Sequence, residues 1–224
     1  YFADSLNAPY GTRPLDEVRE LTFHTAGHLI GMGCKCLVIA CNTATTAAVR
    51  ALRARYEGVP VIGIEPALKP AVLHKPHGRV LVLATAVTLH EEKFHRLMAR
   101  YENDADIFTL ACPGIVEFVE RGIIEGEELI EYLKQLLRNY IDNPPDAVVL
   151  GCTHYPFVRK AIDSVLGGHS EIFDGGNGTA RETGHQLKLH DLCASPDSLG
   201  NVTILNSKPE MIPISEWLLK LPIE

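Results

Sequence analysis

The sequence predicts an α/β fold of two pseudo-symmetric domains, each built on a parallel sheet, and three observations carry that prediction. Short runs that are apolar throughout alternate with helical stretches along the chain. Two of these runs end alike, in a cysteine followed by small polar residues and a helical stretch. Turns rich in Gly, Pro and Asp separate the runs, with no low-complexity segment and no long linker. A strand that is continuously apolar, rather than alternating, is one buried on both faces, as in a parallel sheet covered by helices.

The elements follow in order. Tyr1-Phe2-Ala3-Asp4 reads as the end of a strand already under way, and without an initiating Met the natural N-terminus is expected to precede this numbering. Residues 37–40 (Leu-Val-Ile-Ala) form a strand, Cys41-Asn42-Thr43-Ala44-Thr45 a tight turn, and an Ala/Arg-rich stretch to about Arg55 a helix. Residues 59–64 and 79–84 are further strands, the second followed by Thr85-Ala86-Val87-Thr88 and a helix running towards Tyr101. Residues 105–110 are a strand candidate. From about Gly126 to Tyr140 the residues Leu129, Ile130, Leu133, Leu136 and Leu137 recur at helical spacing. Asn143-Pro144-Pro145 stops that helix. Residues 147–150 are a buried strand leading to Gly151-Cys152-Thr153-His154-Tyr155-Pro156, with a helix from about Phe157. In the tail, residues 201–205 read as a strand and 214–219 as a closing helix, in which Trp217 packs. The expected division is 1–64 plus 174–224 for the first domain and 65–173 for the second. Active sites in such sheets lie beyond the carboxyl ends of the strands. Both cysteine motifs occupy that kind of position, which predicts a site in the cleft between the two halves.

Composition narrows the function classes. The chain has 224 residues, 46% hydrophobic and 22% charged, with a formal net charge of -7. Such an acidic chain has no general attraction for nucleic acid or for anionic membrane. No run of about 18 apolar residues is present to form a spanning helix, and no signal peptide opens the chain. The six cysteines are sparse and lack the spacing of a small disulfide scaffold, which reads as reduced thiols in a cytoplasmic protein.

Cys41 and Cys152 carry the chemistry. A thiol at a helix N-terminus faces unpaired N–H groups and a partial positive charge, and is more readily a thiolate there. Free N–H groups at the same place can hold a carboxylate. Two such thiols on opposite sides of one carbon form a two-base racemase. One thiolate takes the α-proton, the other thiol returns a proton to the opposite face, and in principle neither a metal nor another cofactor is needed. A lone cysteine after a strand is usually a small core residue. The matched pair, flanked by Asn42 and Thr43 and by Thr153 and His154, argues against that reading here. Cys34, Cys36, Cys112 and Cys193 keep the structural reading, and most of the ten histidines read as surface or helix residues.

These motifs resemble a known family. Cys41-Asn42-Thr43-Ala44-Thr45 and Gly151-Cys152-Thr153-His154-Tyr155-Pro156 are similar to the two cysteine motifs of bacterial glutamate racemases. The segment ending Pro9-Tyr10-Gly11 and the segment from Cys112-Pro113-Gly114 to Glu120-Arg121-Gly122 are similar to two more of its motifs. The resemblance implies a cytoplasmic, cofactor-independent isomerase that supplies D-glutamate for peptidoglycan. It implies Cys41 and Cys152 as the catalytic pair, with Asp4, Glu120 and His154 assisting. It implies Tyr10, Gly11, Asn42, Thr43, Thr85, Thr88, Thr153 and His154 as substrate-binding positions. The implied partner is glutamate, with a homodimer as the common assembly and regulation by a cell-wall precursor in part of the family. One departure is clear: the family's opening strand and Asp-Ser-Gly turn are not found before Tyr1. Asn7 also stands where a basic residue is usual. Racemases of the same superfamily acting on aspartate or hydantoins, a thiol-based redox or metal-binding protein, and a non-catalytic module remain as alternatives.

Overall fold

The computed structural model describes residues 1–222. In chain order these form β1 (Phe2–Ala3), α1 (Leu15–Gly31), β2 (Leu37–Ile39), α2 (Asn42–Arg55), β3 (Val61–Gly63), α3 (Leu68–His74), β4 (Arg79–Ala84), α4 (Ala86–His90), α5 (Glu92–Ala99), β5 (Asp106–Ala111), α6 (Ile115–Glu120), α7 (Glu127–Ile141), β6 (Ala147–Leu150), α8 (Arg159–Val165), β7 (Glu171–Asp174), α9 (Gly176–Leu189), β8 (Leu205–Asn206) and α10 (Ile212–Leu219). Short 3-10 turns lie at Tyr10–Thr12, Tyr155–Val158 and Pro209–Met211. The chain folds into two compact units, one of Tyr1–Ile64 with Gly176–Leu221, the other built from Glu65–Gly175.

The second unit holds a four-stranded parallel sheet in the order β5-β4-β6-β7. β4 lies in the middle because it is apolar on both faces. Val80, Val82 and Ala84 pack with Leu68, Val72 and Phe94. Leu81 and Leu83 point the other way and are also fully buried. β6 runs beside β4 in parallel register, with Leu81 opposite Val148 and Leu83 opposite Leu150. α7 presents Leu129, Leu133 and Leu137, one turn apart and all fully buried. Each such leucine contributes roughly 1.5–3 kcal/mol on leaving water.

The first unit differs from the expected single sheet. Its strands form two separate parallel pairs, β2 with β3 and β1 with β8. Leu37 of β2 is buried, whereas Val38 is 42% exposed, so one face of this strand is uncovered among the described residues. The core here lies where α1 and α2 meet β2 and β3, through Val18, Ala26, Leu37, Ala48, Leu52 and Val61.

One helix was not foreseen and two local expectations need revision. α1, a 17-residue helix, had no counterpart in the sequence reading. Its buried stripe is only Val18, Thr22 and Ala26, too thin and too polar for a periodicity argument, and tertiary packing against α2 supplies the rest. The helix expected towards Tyr101 is broken into α4 and α5 by extended backbone at Glu91, with ψ 137°. The strand expected at 201–205 shrinks to Leu205–Asn206, which stand in parallel register with Phe2 and Ala3.

Candidate active site

In the first unit the site is built at the carboxyl end of β2. Cys41 is the N-cap of α2, in extended conformation, and its sulfur accepts the amide N–H of Ala44 at 3.5 Å. The positive end of a 14-residue helix thus faces the thiol, an arrangement that stabilises negative charge on sulfur. Thr45 ties the helix to the strand by donating its hydroxyl to the Ile39 carbonyl at 3.1 Å. Gly63 of β3 makes room for that threonine: a Cβ there would meet Thr45 Cγ2 at 2.6 Å. Asn42 and Thr43, the first residues of α2, are both buried. The Asn42 side-chain oxygen is buried without a hydrogen-bond partner, which costs free energy until a donor arrives.

A carboxylate network lies in the same unit. Tyr10 donates its hydroxyl to Asp4 at 2.6 Å. Asn7 donates its amide to both Asp4 oxygens at 3.0 Å, so the residue in the unusual position is part of the network. Arg13 holds this loop by donating to the Asn7 carbonyl at 2.6 Å. Burial pushes the Tyr10 phenol well up, and the accepting carboxylate of Asp4 and the nearby charge of Cys41 push the same way. Tyr10 therefore stays a protonated donor. Gly11 sits in the same 3-10 turn, half-buried.

In the second unit Cys152 follows β6. Gly151 allows this turn to lie against β4, because a Cβ would fall 2.9 Å from the Leu83 carbonyl and from Ala84 Cβ. The expectation that Cys152 opens a helix is corrected here. Its turn leads into the 3-10 turn Tyr155–Val158, and α8 begins only at Arg159. Pro156, at the start of that turn, lacks the N–H a longer α-helix could not use there anyway. The group beside the Cys152 sulfur is instead the His154 ring, with Nδ1 at 3.9 Å. The other ring nitrogen, Nε2, lies 2.7 Å from Glu120 Oε1. Burial alone would lower the His154 pKa, but the contacts with Cys152 and Glu120 outweigh it and hold the imidazole up at about 10. Thr153 sits half-buried in the intervening turn. Thr85 caps α4, accepting from the Thr88 amide at 3.3 Å, and the two hydroxyls are 3.0 Å apart.

The structure thus groups Asp4 and Tyr10 in one unit, near Cys41, and links Glu120, His154 and Cys152 in the other. Sequence reading missed Thr45, whose signal was a threonine in the first turn of the helix after Cys41. It also missed the ion pair of Arg159 with Asp174 at 2.6 Å, which joins α8 to the end of β7 and has no local sequence signature. Cys112, read as structural, is buried. Burial, reinforced by the charge of Cys152, pushes its thiol up.

Known proteins give a consistent comparison. The family model Asp/Glu/Hydantoin racemase matches residues 1–183. The chain is 46% identical over 223 residues to the glutamate racemase of Clostridium acetobutylicum, covering 99% of this chain and 87% of that one. It is 45% identical over 222 residues to the glutamate racemase of Clostridium botulinum, covering 98% and 86%. Among solved structures, the Escherichia coli glutamate racemase in complex with L-glutamate and the activator UDP-MurNAc-ala superposes with a TM-score of 0.83 at 30% identity. That match covers 97% of this chain and 84% of that one. A family match over most of the chain, relatives near half identity and a shared two-unit parallel-sheet fold place it without ambiguity: the chain belongs to the Asp/Glu/hydantoin racemase family and is an isomerase.

Proposed function

We propose that this isomerase interconverts L- and D-glutamate by a two-base mechanism with Cys41 and Cys152 as the bases. The observation that carries the reading is a thiol just beyond a strand end in each unit, each beside a group that can stabilise its charge or tune its proton. Cys41 has the helix amide of Ala44, and Cys152 has a histidine tied to a glutamate. One thiolate removes the α-proton and becomes a thiol. The C–H electron pair stays on the α-carbon and spreads into the carboxylate. The other thiol delivers its proton to the opposite face and becomes the thiolate, so the reverse substrate finds the roles exchanged. Each proton-transfer group of this kind supplies roughly 10²–10⁴-fold. Donors placed where charge develops must supply most of the remainder.

The same proposal assigns substrate binding. The buried, unpartnered Asn42 oxygen would accept from the substrate ammonium. The hydroxyls of Thr43, Thr85, Thr88 and Thr153, with Tyr10 and Gly11, would surround the carboxylates. Asp4 would assist Cys41 as His154 and Glu120 assist Cys152. The names of the relatives support glutamate as the substrate. D-glutamate made in this way would serve peptidoglycan synthesis in the cytoplasm.

The deciding experiment incubates the protein with L-glutamate in heavy water without added cofactor. The α-proton is followed by NMR and the product by chiral chromatography, with D- and L-aspartate in parallel. Loss of the α-proton signal together with D-glutamate formation is the expected result. Exchange with aspartate and none with glutamate would overturn the substrate assignment.

A further inference from the structure

We infer that Tyr155 is a positioning residue for the Cys152, His154 and Glu120 chain, because its hydroxyl fastens the near end of the segment whose far end carries Glu120. The inference rests on the reading of Cys152 as a proton-transfer group. Tyr155 is fully buried. Its backbone amide donates to the Cys152 carbonyl at 3.1 Å, so its ring is rooted in the turn that bears the thiol. Its hydroxyl donates to the Cys112 carbonyl at 2.9 Å. Cys112 is the first residue after β5, and its own amide is held by the Ala84 carbonyl at 3.0 Å, at the end of β4.

Residues 112–120 form a short span from that point, helical over Ile115–Glu120. Gly114 adopts φ 87° and caps α6. Its missing side chain leaves room for Tyr132, whose hydroxyl would lie 2.8 Å from an added Cβ. α6 ends at Glu120, which meets His154 Nε2. Two adjacent residues therefore grip the two ends of one span: Tyr155 holds Cys112, and His154 holds Glu120. The resulting ring fixes the imidazole with Nδ1 turned to the Cys152 sulfur. Removing the Tyr155 hydroxyl releases one corner. It also leaves a buried carbonyl without that donor, so residues 112–120 must shift and Glu120 loses its reach. Small misplacements of this kind carry large rate effects, up to about a hundredfold per ångström.

The test is a double-mutant cycle read on His154 itself. The imidazole is titrated by NMR in the wild type, Tyr155→Phe, Glu120→Gln and the double variant, with folding checked by circular dichroism. The midpoint is expected to fall in Tyr155→Phe, in the same direction as in Glu120→Gln, and not to fall further when both changes are combined. In glutamate racemisation, kcat of Tyr155→Phe should drop roughly tenfold with KM nearly unchanged, and this loss should vanish in the Glu120→Gln background. A folded Tyr155→Phe protein with an unmoved His154 midpoint, or a shift that adds in full to that of Glu120→Gln, overturns the inference. If Tyr155→Phe does not fold, Gly114→Ala disturbs the same span and decides in the same way: a lowered midpoint supports the inference and an unmoved one overturns it. A wild type inactive on glutamate would remove the functional reading alone, because the titration needs no turnover.

Discussion

Asn42 and Glu120 are the single side chains at which the proposed chemistry is most directly tested. The Asn42 oxygen is buried beside Cys41 with no partner, so a ligand donor should gain a full hydrogen bond there. Asn42→Ala is expected to lower kcat/KM for glutamate roughly tenfold, mostly through KM. An unchanged KM would show that this oxygen does not meet substrate. Glu120 contacts His154 at 2.7 Å. The folded-state pKa of that histidine, about 10, lies above its unfolded value. Its contribution to stability is therefore fully present below about pH 6.5, declines as pH rises, and is lost at about pH 10. Glu120→Gln should reduce the melting temperature most at pH 6, and the gap to the wild type should narrow towards pH 10. A gap that stays constant across that range would mean that Glu120 contributes packing and not charge.

At the level of elements, the glycines that precede or face the thiol turns govern how closely strands and turns approach. Gly151→Ala brings a Cβ to 2.9 Å from the Leu83 carbonyl. Backbone cannot step aside as a side chain can, so the cost should be about 1–3 kcal/mol by urea denaturation, with loss of activity from a displaced Cys152. A stability change below about 0.5 kcal/mol would show that the turn has slack. At the opposite end of the same sheet, Asp146 joins three elements. It accepts from the Lys75 ammonium and, at 2.8 Å, from the Arg79 amide at the start of β4. The hydrogen bond from Lys75 first, then the Arg79 amide, hold its carboxyl below the usual carboxylate range. Its stabilisation is present above about pH 4 and disappears as pH falls through the lowered value. Asp146→Asn should accordingly unfold earlier than the wild type at pH 7, with the two converging in acid. Convergence at high pH instead would contradict the assignment.

For the whole molecule, the proposed division of the two bases between two units has a directional consequence. Cys41→Ala and Cys152→Ala should each lower racemisation by about a hundred- to ten-thousandfold. Hydrogen exchange at the α-carbon should persist for one enantiomer only, L-glutamate in Cys41→Ala and D-glutamate in Cys152→Ala. Heavy-water exchange of each enantiomer, measured separately, checks this. Loss of both exchanges in both variants would rule out independent bases, and full racemisation in either would rule out that cysteine.

Sequence alone determined the α/β class, because apolar runs such as 79–84 and 147–150 can be satisfied only as strands covered on both faces. It also placed Cys41 and Cys152 just beyond strand ends, since strand, cysteine and turn are contiguous and their chemistry is local. Tertiary structure decided the rest. The pairing of Glu120 with His154 joins residues 34 positions apart, and the tie between Tyr155 and Cys112 spans 43. Neither distance follows from local pattern, because each depends on how β4, β5 and β6 are registered. Periodicity likewise could not reveal α1, whose thin stripe becomes a helix face only against α2. Nor could a motif show that Cys152 faces a histidine and not a helix end. Local patterns record what a residue prefers, whereas the partners of its polar atoms are set by whichever packed arrangement leaves the fewest of them unsatisfied.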